Sequence, residues 1–126
     1  MKLLLLASAG GAIGAGARHL VNVAMGRLMG TAFPWGTLTV NIVGSFLMGI
    51  LIEYMLLRGI SSPEVRTFLA TGILGGFTTF SAFSLDVAAL IGRKEQAVAA
   101  FYVAGSVGIS ILMLYAGFAA ARQALA

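Results

Sequence analysis

The sequence predicts an all-α integral membrane protein of four transmembrane helices, with the third broken in mid-membrane. Composition and spacing carry that reading. Of the 126 residues, 60% are apolar and only 10% are charged, and the mean hydropathy is +1.00. A soluble domain ordinarily carries about 25% charged residues, and a chain this short could not hide so much apolar surface from water. Long uncharged stretches also recur along the whole chain, separated by short polar breaks.

Each stretch has its own boundaries. Helix one is expected at about 3–27. Lys2 followed by Leu3 to Ala7 has the look of a signal peptide, with Ala7-Ser8-Ala9 as a cleavage site. The apolar stretch runs on past that site to Val23, so a full span of about 20 residues is the better reading. Helix two is expected at about 36–57, with Trp35 anchoring its end at the interface. Helix three is expected at about 64–91, with Ser62 as cap and Pro63 in the first turn. Helix four is expected at about 96–121 after Gly92-Arg93-Lys94-Glu95. These make a single four-helix membrane domain with no room for a soluble one. Short loops make neighbouring helices antiparallel, so both termini are expected on the same side.

The net charge is +4, from eight Lys and Arg, four Asp and Glu and one His. The basic residues stand singly or in a pair at helix ends, which marks interfaces and argues against nucleic acid. Lys2, Arg58, Arg66 and Arg122 fall on one face; Arg27, Arg93 and Lys94 fall on the other; Arg18 lies inside helix one. Orientation follows an asymmetry of positive charge, and four against three is almost none. Insertion in both orientations and pairing as an antiparallel, dual-topology dimer are therefore expected.

The chain has no cysteine and a single histidine, His19, which excludes disulfides, thiolate sites and multi-histidine metal sites within one chain. No nucleophile–base pair or nucleotide-binding motif is visible, so an enzyme is not expected.

Polar groups in hydrocarbon are costly, so each is a functional candidate. Helix two carries Thr37, Asn41, Ser45, Gly49 and Glu53 at a spacing of four. Helix four repeats that spacing with Tyr102, Ser106 and Ser110, and helix one with Gly14, Arg18 and Asn22. Residues four apart share a helix face. Single serines of this kind ordinarily bond neighbouring helices, but three stripes together point to a hydrated path. The stripes are mostly donors and no carboxylate lies near a helix centre, which suits an anion. Most of the 17 glycines, Gly10 and Gly14 among them, read as helix-packing positions.

Helix three holds Gly72 and the run Gly75-Gly76-Phe77-Thr78-Thr79-Phe80-Ser81-Ala82-Phe83-Ser84. Paired glycines and paired threonines weaken a helix. A break in mid-membrane survives only where protein, water or an ion satisfies the freed carbonyls. Phe80 and Phe83, and likewise Ser81 and Ser84, are three apart and share a face.

Over essentially its full length the chain resembles the Fluc fluoride channel family, also called CrcB proteins. The resemblance rests on Gly14-Ala15-Gly16-Ala17-Arg18, Gly36-Thr37-Leu38-Thr39-Val40-Asn41, the segment from Gly75 to Ser84, and Tyr102, Ser106 and Ser110. It implies a fluoride-selective channel that exports fluoride passively across the cytoplasmic membrane, as a multi-pass protein of the inner or plasma membrane. It also implies an antiparallel homodimer with two pores at the subunit interface. On that resemblance Phe80 and Phe83 turn ring edges to the ions, Asn41 is the pore amide, and Ser106 and Ser110 lie along the track. Arg18 becomes a vestibule arginine. Thr37, Ser81, Ser84 and Tyr102 join the expected fluoride pathway. The carbonyls of Gly75 and Thr78 are expected to hold a structural sodium ion at the dimer centre. The competing reading is a small multidrug-type exporter, which needs a membrane-embedded carboxylate where helix one has Arg18.

Overall fold

A computed structural model describes residues 1–125 as helices joined by short loops. Helix α1 spans Lys2–Met29 and α2 spans Trp35–Leu57. The third span, 63–92, is composite: α3 at Pro63–Arg66, a π-helical segment at Thr67–Leu74, α4 at Gly75–Phe77 and α5 at Ser81–Gly92. Helix α6 spans Gln96–Ala124. All four spans are long and apolar enough to cross a membrane.

The local signals act where the sequence places them. The Ser62 Oγ accepts the Val65 N–H at 3.2 Å, and Pro63 opens α3 where its missing N–H costs nothing. Trp35 opens α2, its ring 4.7 Å from that of Phe33. Gly30 closes α1 at φ 81° and Gly59 follows α2 at φ 65°, a left-handed region that a Cβ disfavours. Helix α6 runs three residues beyond the expected 121, to Ala124. The break is also displaced. Gly75 and Gly76 are helical, and the chain becomes extended only at Thr78, with φ −84° and ψ 160°. The π segment before it had no signal in the sequence.

Two glycine-lined seams hold the bundle. Helices α2 and α6 lie along each other, and Gly49 meets Gly117: a Cβ on Gly49 would strike the Leu114 carbonyl, and one on Gly117 the Phe46 carbonyl. Helix α1 lies on the π segment and α4, where a Cβ on Gly14 would strike Ile73 and one on Gly76 would strike Gly11. This is the close backbone approach that replaces a hydrophobic drive in lipid. The buried core is small and centres on Phe83, Leu90, Ala99 and Tyr102. Large apolar side chains such as Leu4, Leu20, Leu56, Phe101 and Leu112 face outward, as lipid-solvated surfaces do.

Ion pairs mark the two ends. Lys2 lies 3.8 Å from Glu64, and Arg122 Nε donates to the buried Glu53 carboxylate at 2.8 Å. These tie α1 to α3 and α6 to α2, on either side of the 58–62 turn. At the other end Arg93 donates to the Ala32 carbonyl at 2.7 Å. The start of α1 and the end of α6 therefore share one face, opposite the loops that hold Ala32 and Arg93.

Candidate functional site: a donor-lined groove at the helix break

The break is held by side chains from two other spans. Asn41 on α2 clamps Thr79 in both directions: Asn41 Nδ2 donates to the Thr79 carbonyl at 2.9 Å, and the Thr79 N–H donates to Asn41 Oδ1 at 2.8 Å. The Thr79 hydroxyl accepts the Ala82 N–H at 3.1 Å, which starts α5. The Thr78 N–H and hydroxyl both donate to the Leu74 carbonyl at 3.0 Å. Arg18 on α1 donates from Nε to the Gly76 carbonyl at 3.1 Å. Interrupting a helix in lipid leaves backbone groups that must be satisfied within the protein, and Asn41 and Arg18 satisfy the groups on either side.

Two break carbonyls, Gly75 and Thr78, receive no hydrogen bond among the described residues. Gly75 is exposed. Neutral carbonyl oxygens suit a hard cation such as sodium, so this donor set fits the ion expected there. No cluster of three His, Cys, Asp or Glu competes for a metal among the described residues.

Beside the break lies a groove of about 410 Å³. Asn41 and Ser45 of α2, Phe80 and Phe83 of the third span, and Ser106 and Ser110 of α6 line it. The hydroxyls of Ser106 and Ser110 are buried and have no partner among the described residues. A helical serine commonly returns its proton to a carbonyl one turn back; these two do not. An orphaned buried hydroxyl calls for an explanation, and both line the groove. Asn41 keeps one Nδ2 hydrogen beyond the bond to Thr79. No acidic residue lines the groove.

The two phenylalanines differ in setting. The Phe80 and Phe83 rings lie 5.5 Å apart with planes tilted by 53°. Phe83 is buried against Tyr102, at 5.1 Å between centroids, whereas Phe80 is 75% exposed in the single chain.

The remaining expected residues lie elsewhere. Thr37 lines a second cavity of about 300 Å³ between α2 and α5, which also holds Asn22, Asp86 and Arg93. Tyr102 is buried and donates to Asp86 at 3.0 Å. Ser81 and Ser84 are exposed and do not line the groove; the Ser84 hydroxyl donates to the Phe80 carbonyl at 3.0 Å. Arg18 rests on the break from the α1 side. Of the three polar stripes, Asn41 and Ser45 of α2 meet Ser106 and Ser110 of α6 in the groove, while on α1 Gly14 and Arg18 turn to the third span and Asn22 packs on Gly36 of α2. Ser45 and Thr79 line the groove without having been singled out as site residues. The four-residue spacing from Asn41 pointed to Ser45; nothing local pointed to Thr79.

With this geometry in place, comparison with known proteins is decisive. A family model described as CrcB-like protein, camphor resistance (CrcB), matches residues 5–118. The chain belongs to the CrcB-like family. CrcB-like relatives match it end to end. One from Chelativorans sp. (strain BNC1) is 57% identical over 99% of this chain and 100% of its own length. One from Rhodospirillum centenum is 51% identical over 100% of both, and one from Rhizobium meliloti is 50% identical over 97% and 98%. Each carries the name fluoride-specific ion channel FluC. Four membrane-capable helices in a CrcB-like chain make this a multi-pass membrane protein.

Proposed function

We propose that this chain is a fluoride-selective channel of the cytoplasmic membrane, built as an antiparallel homodimer with two pores. The observation that carries the proposal is the groove: two unpartnered hydroxyls, an amide and two phenylalanine rings converge there with no carboxylate. The names of the relatives support it. Fluoride is small and strongly hydrated, so a pore must replace its water with donors. Ser106, Ser110 and the free hydrogen of Asn41 supply them. An aromatic ring is positive at its edge, and the edges of Phe80 and Phe83 offer attraction weak enough for the ion to leave.

The dimer is supported by what one chain leaves open. Phe80 and the Gly75 backbone, whose carbonyl has no partner among the described residues, are exposed at mid-span, and an unsatisfied backbone carbonyl does not face lipid. A second copy would cover both. The Gly75 and Thr78 carbonyls of the two copies would hold sodium, which supplies positive charge to oxygens that have no donor. The membrane potential favours outward movement of fluoride by about 2.3 kcal/mol per 100 mV.

An exporter coupled to protons through a mid-groove carboxylate is not favoured: Glu53 pairs with Arg122 and Asp86 with Tyr102, both outside the groove. The deciding experiment is passive efflux from liposomes reconstituted with purified protein. Fluoride should leave rapidly and chloride should not. Equal efflux of both, or none of either, would overturn the proposal.

A further inference from the structure

The serine-lined groove continues into a third cavity, of about 360 Å³, toward the end of the molecule that carries Lys2 and Arg122. Met48 and Leu114 line both spaces and form an apolar collar between them. Beyond the collar the lining includes Thr71, Phe118 and Arg66. Among the described residues Arg66 is the one ionisable residue lining either space. Its guanidinium has no hydrogen-bond or ion-pair partner among the described residues. The two side-chain carboxylates at this end of the molecule are engaged by other cations, Glu64 by Lys2 and Glu53 by Arg122. Its positive field is therefore uncompensated, at the mouth of a cavity with low-dielectric walls, where field lines are focused.

We propose that Arg66 is the anion-recruiting residue at this mouth of the fluoride path, raising local fluoride ahead of the Met48–Leu114 collar. The inference rests on the channel reading above and adds a residue to it. Snorkelling to the interface is the ordinary role of an arginine at a helix end, but it would not make fluoride current depend on this one charge.

Fluoride currents through reconstituted parent, Arg66→Ala, Arg66→Lys and Arg58→Ala proteins test it. Each is titrated with fluoride at low and at high ionic strength, in neutral-lipid and in anionic-lipid bilayers. Arg66→Ala should need on the order of 3- to 10-fold more fluoride for half-maximal current at low ionic strength, with the difference shrinking at high. Arg66→Lys should restore most of the parent response. Arg58, an exposed cation at the same end that lines neither space, should be replaceable without effect. An unchanged half-saturation in Arg66→Ala, with the parent conducting, would overturn the inference alone. So would a salt-independent loss that Lys does not rescue, or a defect confined to anionic lipid, which would assign Arg66 to a lipid phosphate. A parent that carries no fluoride current would overturn the channel reading, and this inference with it.

Discussion

Asn41 holds the helix break and, on the proposed function, also serves the path. Its two bonds to Thr79 hold the extended backbone in place, and its remaining hydrogen is available to the groove. Asn41→Ala should therefore lose fluoride flux and also lower stability, by about 1–3 kcal/mol, since it leaves a backbone N–H and a carbonyl without partners. Thermal unfolding in detergent, measured beside efflux, checks both effects. The phenylalanines should separate the two properties. Phe80→Ile removes a ring from an exposed site and should reduce flux with little change in stability. Phe83→Ile removes a ring packed on Tyr102 and should reduce flux while also lowering the unfolding temperature. If both variants pass fluoride at the parent rate, the ring edges have no role. Leu56 is 71% exposed, and Leu56→Ala should leave both measurements near the parent values.

At the scale of the element, stripes at a spacing of four do not stay on one face. Each step of four residues advances about 40° around a helix of 3.6 residues per turn. From Thr37 to Glu53 the drift is about 160°. That is why Thr37 reaches the second cavity, Asn41 and Ser45 the groove, Gly49 the α6 seam and Glu53 an ion pair. The stripe was legible in the sequence, but its division among four surroundings was not. The glycines divide in the same way. Gly49→Ala or Gly117→Ala should destabilise by about 1–3 kcal/mol, because a methyl group meets backbone across the seam. Gly105 has nothing within 4 Å of an added Cβ, so Gly105→Ala should be neutral or stabilising. Equal melting temperatures for Gly49→Ala and Gly105→Ala would show that the seam is looser than this.

At the scale of the molecule, the near balance of positive charge leaves orientation weakly specified, and the proposed second copy would cover the exposed Gly75 and Phe80 that flank the break. Single cysteines placed in the 58–62 turn of this cysteine-free chain should be labelled from both sides of the membrane. Labelling from one side alone would exclude dual topology. Replacing sodium with a bulky organic cation should weaken the dimer if the Gly75 and Thr78 carbonyls of the two copies share an ion. An unchanged dissociation profile by size-exclusion chromatography would remove that ion from the assembly.

The four spans, their antiparallel alternation and the existence of a break follow from composition and local spacing. Transfer of apolar surface to lipid, capping at Ser62 and weak helix propensity at the paired threonines act over a few residues and can be read in order along the chain. Which side chains satisfy the break, and which hydroxyls are left for an ion, depend on bonds between distant parts of the sequence. Asn41 reaches Thr79 across 38 positions and Arg18 reaches Gly76 across 58. Local propensity carries no record of such pairs. They form only when close glycine contacts set the helices at a fixed depth and rotation, so the tertiary structure alone determines that Ser106 and Ser110 face the groove while Ser81 and Ser84 do not.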